Sequence, residues 1–248
     1  MKKILYILIM ISVASCSKES ANDCFQNAGT IIQQVIPVTD FEKILVNRDV
    51  ELIIKEAPEY QVIIQTGEYL LNDVEAKVVG DELQLIDNNT CNYVRDYGIT
   101  KVFVSAPNIR TIRTSSQYTV KSDGVLNYDT LNLLSEDFNA AGSFTIGDFN
   151  LEVNTNNLRV VSNNISSFYI SGETNNLTVQ FYSGAGRFEG ANLMAQTVDV
   201  YHRGSNDMIV NPQQSLSGEL VGTGDLISVN RPPTVEVEQL YTGGLIFD

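Results

Sequence analysis

Tryptophan is absent from the chain, and histidine occurs once, as His202. Without tryptophan the case for a sugar-stacking cleft is weak, although 11 tyrosines leave it open. A single histidine removes the usual base of a Ser-His-Asp or Cys-His arrangement, and no Gly-rich phosphate loop or HExxH sequence stands in for it. Positive charge is scarce too: 16 Lys and Arg face 30 Asp and Glu, for a formal net charge of −14. Phosphate backbones are bound by clustered Lys and Arg, so nucleic acid is excluded as a partner, and so is electrostatic binding to anionic headgroups. Apolar residues spaced at i, i+3, i+4 and i+7 are missing beyond the first fifteen residues, so helices are not expected. No cofactor motif is present.

One apolar run exists, Ile4 to Val13, preceded by Lys2 and Lys3. It is too short to span a bilayer, which takes about 20 residues, but it suits the core of an export signal. The segment Val13-Ala14-Ser15-Cys16 that ends it resembles a bacterial lipobox. Residues 1–15 then read as a lipoprotein signal peptide and Cys16 as the acylated first residue of the mature protein. Ordinary signal cleavage near Ala14-Ser15 is the alternative. Lipid chains contribute about 0.8 kcal/mol per buried methylene, so more than one chain anchors firmly. The membrane is therefore an expected partner through the N-terminal lipid, with the protein anchored to it and not crossing it. Ser17, rather than Asp, after the cysteine favours the outer membrane. Residues 16–29 are polar and read as a tether.

Two cysteines remain, Cys24 and Cys91. In an oxidising compartment they form a plausible disulfide, with two free thiols as the alternative. Metal binding is not expected, since a structural zinc site wants four Cys or His ligands. Calcium at Asp87-Asn88-Asn89 or Asp137-Asn139 is conceivable, but ordinary Asx turns explain both.

Alternation of apolar and polar residues dominates the rest. Val50, Leu52 and Ile54 share a face, and Tyr60, Val62 and Ile64 repeat the pattern after a turn at Ala57-Pro58-Glu59. Val74, Ala76 and Val78 lead through Gly80-Asp81 to Leu83 and Leu85, a hairpin signal. Residues 30–125 thus read as β-hairpins. From 126 a longer period sets in. Asn156-Asn157-Leu158-Arg159-Val160 recurs 19 residues later as Asn175-Asn176-Leu177-Thr178-Val179, and the beat continues at Val198, Leu216 and Val235. A second beat runs through Phe168, Phe188, Met208, Leu226 and Leu245. Fixed spacing near 20 residues predicts stacked coils that bury their apolar edges against one another. The expected fold is all-β: a right-handed parallel β-helix or solenoid over 126–248, with the N-terminal hairpin region stacked on or capping it. The paired asparagines are expected to stack as an amide ladder, and Gly186, Gly204, Gly222, Gly224 and Gly243 to turn the corners by positive φ or close backbone approach.

The segments Phe41-Glu42-Lys43-Ile44-Leu45-Val46 and Asp49-Val50-Glu51-Leu52, together with Val74 to Leu85 and the corners Ser183-Gly184-Ala185-Gly186 and Gly222-Thr223-Gly224-Asp225, resemble the auto-transporter adhesin head, or GIN, domain family of Bacteroidetes lipoproteins. The likeness covers about residues 35–248 and makes 30–248 one continuous domain. A Ser-Gly-x-Gly corner frequent in that family is kept at 183–186, altered at Val221-Gly222-Thr223-Gly224 and lost at Ser162-Asn163-Asn164. The resemblance implies a β-helix-like fold and a surface or periplasmic role. It supplies no catalytic residues.

Three weak site candidates remain. Tyr93, Arg95 and Tyr97 beside Cys91 form a possible contact patch, because amphipathic rings suit interfaces; the alternative is a loop packing its own tyrosines. Thr130 in Asp129-Thr130-Leu131 resembles an O-glycosylation acceptor. His202, in Tyr201-His202-Arg203-Gly204, reads as a solvated turn residue. The expected function is a non-enzymatic, lipid-anchored adhesin or display module for a protein or glycan. The rivals are a carbohydrate-active enzyme, which would need paired acids such as Glu136 and Asp137 or Asp199 and Asp207, and a periplasm-facing envelope scaffold or stress component.

Overall fold

The computed structural model describes residues 23–89, 91–138 and 143–248. The expected export signal and Cys16 lie outside these residues. Two single-turn 3-10 helices, Asp23–Phe25 and Leu71–Asp73, are the only helical elements among the described residues. All else that is regular is strand. In chain order the strands are β1 (Ile31–Ile36), β2 (Lys43–Val46), β3 (Glu51–Glu56), β4 (Gln61–Gly67), β5 (Val74–Val79) and β6 (Glu82–Asp87). There follow β7 (Lys101–Ala106), β8 (Thr111–Thr114), β9 (Val120–Leu126), β10 (Thr130–Ser135), β11 (Phe149–Ser162) and β12 (Ser167–Phe181). The last five are β13 (Arg187–His202), β14 (Met208–Leu220), β15 (Leu226–Ser228), β16 (Thr234–Gln239) and β17 (Leu245–Phe247). The protein is all-β.

The period-two alternation decides which side of each strand faces inward. In β7, Val102, Val104 and Ala106 are buried while Lys101, Phe103 and Ser105 are half-buried. In β13 the alternation buries Phe188, then Leu193 and Ala195, then Val198 and Val200, its phase shifting twice where the register shifts.

Hydrogen bonds organise the strands into two ladders. The first runs β5–β6–β2–β8–β10 and then through the second halves of β11, β12, β13 and β14 to β16. The second runs β1–β4–β7–β3–β9 and then through the first halves of β11 to β14, ending in β15 and β17. All pairings are parallel except β1–β4, β4–β7 and β5–β6. Both sequence beats are columns of these ladders. Leu131, Leu158, Leu177, Val198, Leu216 and Val235 pair in one line. Val120, Phe149, Phe168, Phe188, Met208, Leu226 and Leu245 pair in another. The Phe149 and Phe168 rings stack with centroids 4.9 Å apart, a contact worth about 0.5–1.5 kcal/mol beyond the area it buries.

The region 30–125 departs from the hairpin expectation. Of the strands between those residues, β5 and β6 form a hairpin across Gly80, which has φ +65°. β3 and β4, which the Pro58 turn was expected to pair, are instead separated by β7, parallel to β3 and antiparallel to β4. Alternation fixes the buried face of a strand but not its neighbour, so three strands with the same pattern could be ordered in several ways. The parallel ladders also cross residue 126 without interruption, through β8–β10 and β9–β11. Nor does chain order match spatial order here: β2 and β3, the first of the parallel strands in sequence, lie between β6/β7 and β8/β9. The antiparallel strands β4 and β5 border the outermost parallel layer, and β1 lies outside β4.

Candidate functional site

Each time the chain passes from the first ladder to the second it turns along the same side of the molecule, the loop edge. Backbone hydrogen bonds tie successive turns there, as in Tyr182 N to Ser162 O, Arg203 N to Phe181 O, Val221 N to His202 O and Leu240 N to Leu220 O. The return passages form the opposite amide edge. There Asn175 Nδ2 donates to Asn156 Oδ1 and Asn176 Nδ2 to Asn157 Oδ1, both at 3.0 Å.

Residues 88–100 make one of the long turns on the loop edge. Asp87, at the end of β6, accepts from the Asn89 backbone N–H at 2.9 Å, from Asn89 Nδ2 at 2.7 Å and from Thr100 Oγ1 at 2.6 Å. Burial pushes its carboxyl pKa up, outweighing those hydrogen bonds. Asn92 then closes an Asx turn, its Oδ1 accepting from the N–H groups of Val94 and Arg95 and its Nδ2 donating to Arg95 O. This geometry leaves Tyr93, Val94 and Tyr97 turned out, 75%, 55% and 77% exposed. Cys24 and Cys91 are joined in a disulfide with Cα atoms 4.4 Å apart. Tyr93 N donates to Cys24 O at 2.9 Å, Arg95 Nη1 to Gln26 O at 3.3 Å, and the Phe25 and Tyr93 rings lie 5.7 Å apart. The tyrosines are thus not packed down on the ladders. Beside them a cleft of about 210 Å³ is lined by Asp49, Asp87, Asp96, Thr100 and Tyr118.

Aromatic side chains continue along this edge. Arg48 lies over the Phe144 ring at 5.4 Å, Phe138 meets Tyr182 edge-on at 5.4 Å, and Tyr182 lies 5.3 Å from Tyr201. The sequence reading missed this line. Tyr182 and Tyr201, 19 residues apart, carried the periodic signal that could have revealed it, whereas Phe138 and Phe144 sit in the long turn where the period breaks.

The other candidates fall elsewhere. Thr130 starts β10; its hydroxyl donates to Asp129 and accepts from Asn157 Nδ2 at 3.4 Å, at the amide edge. Glu136 is buried and bound to Arg113 at 2.6 Å. Asp137 accepts from Asn163, Asp199 from Ser217, and Asp207 pairs with Arg187 at 3.2 Å. These acids serve neighbouring layers and do not converge on a groove. His202 is fully buried, which corrects its reading as a solvated turn residue. The next turn closes over it: Gly224 passes so near that a Cβ there would stand 2.6 Å from His202 Nε2. Its Nδ1 accepts from Gly204 N–H at 3.3 Å, and burial lowers its pKa. Among the described residues no group of three or more His, Cys, Asp or Glu could hold a metal ion, and no helix is long and apolar enough to cross a membrane.

Two ladders of stacked strands, joined by an aromatic loop edge and an amide edge, define the class: an all-β protein built mainly of parallel strands. The chain belongs to the family described as "putative auto-transporter adhesin, head GIN domain", whose model matches residues 40–232. Solved structures share the fold. A putative adhesin from Bacteroides fragilis has a TM-score of 0.78 at 17% identity, covering 90% of this chain and 99% of that one. A putative lipid binding protein from Parabacteroides distasonis has a TM-score of 0.62 at 13% identity, covering 89% and 97%. A putative adhesin from Parabacteroides merdae has a TM-score of 0.61 at 14% identity, again covering 89% and 97%. No functionally curated protein matches. The family is described as an adhesin and not as an enzyme, which points to the cell envelope or surface.

Proposed function

We infer that this protein is a non-catalytic display module of the cell envelope, wound as a right-handed β-solenoid and held to the outer membrane by acyl chains on Cys16. Its loop edge contacts a protein or glycan partner. One observation carries this reading: the aromatic line from Phe138 through Tyr182 to Tyr201, with Phe144 under Arg48, follows one edge over several layers. Aromatic rings are enriched at interfaces, and the two tyrosines add a polar tip. The family's adhesin description agrees with it. A carbohydrate-active enzyme is less well supported, because the acids it would need are engaged one by one with Arg113, Ser217 and Arg187.

The test is photo-crosslinking on live cells with a reactive side chain at position 182, followed by mass spectrometry. A discrete adduct, absent when the probe sits at position 175 on the amide edge, supports the reading. The same adduct pattern from both positions defeats it. Protease shaving of intact cells distinguishes the outward from the periplasm-facing orientation.

A further inference from the structure

We propose that the end of the molecule formed by β1, β4, β5 and the 88–100 turn rests on the bilayer, with Phe25, Tyr93, Val94 and Tyr97 at headgroup level. This rests on the reading of Cys16 as acylated. Exposed apolar residues on a soluble protein are usually scattered, and a cluster marks an interaction surface. Here Phe25, Tyr93, Val94 and Tyr97 are 54%, 75%, 55% and 77% exposed. They form one unit, because the Cys24–Cys91 disulfide and the Tyr93 N to Cys24 O hydrogen bond join the two segments. The outer strands add Ile31, Val35 and Val79, 51%, 60% and 54% exposed at the same end.

Chain length selects the bilayer as occupant. Eight Cα-to-Cα steps (24 − 16) lead from Cys16 to Cys24, and even fully extended they reach about 28 Å. A lipid on Cys16 therefore keeps the cluster permanently near the membrane. The chemistry agrees, since tyrosine and other aromatic rings collect at the membrane–water interface, where one end is apolar and the other wet. Arg95 and Asp96 between the two tyrosines bring opposite charges, and the chain's net charge of −14 disfavours an anionic surface. The surface that fits is zwitterionic lipid. Contact there would fix the tilt of the stack and point its far end, with Leu240 and Tyr241, about 38 Å (eight strand spacings) away from the cluster.

Tyr241 supplies an internal reference, being 63% exposed on that far end. The acylated protein is reconstituted on phosphatidylcholine–phosphatidylethanolamine vesicles and footprinted with hydroxyl radicals, with oxidation at each tyrosine read by mass spectrometry. Intact mass establishes the acyl group on Cys16 first. The expected result is oxidation of Tyr93 and Tyr97 several-fold below that of Tyr241. Equal oxidation of the three on an acylated chain would overturn the docking while leaving the anchor intact. A mature chain without acyl mass would overturn both.

Discussion

Along the loop edge successive layers meet backbone to backbone. A Cβ placed on Gly184 would stand 2.0 Å from Asn164 O, one on Gly222 2.3 Å from Gly204 O, and one on Gly243 2.2 Å from Gly224 O. Along the amide edge the strands also pair through their main chains, and side chains meet as well: Asn156 with Asn175, Asn157 with Asn176, and Asn176 with Thr197. Strands must be held about 4.8 Å apart on both. Where glycine removes the side chain, main-chain groups bond directly and the surface is left free for rings such as Tyr182 and Tyr201. Where asparagine supplies a donor and an acceptor, the side chains bond from layer to layer in addition to the main chain and are no longer free to meet a partner. The contrast explains why the contact surface is assigned to the loop edge. It also predicts that the two edges tolerate change differently.

The largest effect is expected at Gly184, which has φ +85° as well as the close approach to Asn164 O. Gly184→Val combines a left-handed backbone, costly for a β-branched residue, with a clash against main chain that cannot yield. A loss of about 3–5 kcal/mol follows, readable as a lower urea midpoint or as failure to fold. A near-neutral outcome would mean that the turns do not need their bare backbone.

Next comes the disulfide that pins the 88–100 turn. Cys24 and Cys91 are 67 residues apart, and removing a bridge across such a loop costs about 2–4 kcal/mol. Cys24→Ser with Cys91→Ser is expected to lower the urea midpoint by that amount and to raise hydrogen exchange at 91–97 first. Exchange that rises equally at the amide edge would show that the bridge steadies the whole stack and not its own turn.

A smaller, pH-dependent effect belongs to His202, buried at the loop edge with its pKa lowered by burial. The unfolded chain binds a proton near the ordinary value of 6.5 that the folded chain refuses. Its share of stability is therefore fully present above about pH 6.5 and lost as pH falls through that value. Unfolding curves of wild type and His202→Gln between pH 7.5 and 5 should converge, because only the wild type carries this loss. Curves that stay parallel would mean that the imidazole is readily protonated in place.

Much of this arrangement was legible in the chain. The columns through Leu158, Leu177 and Val198, and through Phe168, Phe188 and Met208, followed from spacing alone, because each layer beyond residue 149 repeats the length of the last. The amide ladder was legible for the same reason. The close approaches at Gly222 and Gly243 answered one of the two roles expected of corner glycines, while positive φ fell instead at Gly184 and Gly218. What could not be read was the order of layers before residue 126, since Leu52, Val62 and Val102 present the same alternation and only tertiary pairing chooses between them. His202 was misread because a corner sequence gives no sign that the following turn, at Gly224, closes over it.

The smallest expected effect is the one that tests the amide edge most directly. Asn176 donates to Asn157 Oδ1 at 3.0 Å and to Asn156 O at 3.3 Å, and accepts from Thr197 Oγ1 at 2.9 Å. It is exposed, so water takes over the groups that lose a partner, and Asn176→Ala should cost about 1 kcal/mol. That figure alone cannot separate a ladder residue from an ordinary surface residue. A double-mutant cycle with Asn157→Ala can, because residues that act as one ladder are coupled by about 0.5 kcal/mol or more, whereas independent sites add. If the amides hold the layers, the double variant loses less than the sum of the singles. Simple additivity would mean that the main chain carries this edge alone, and the proposed division of labour between amide ladder and contact surface would fall.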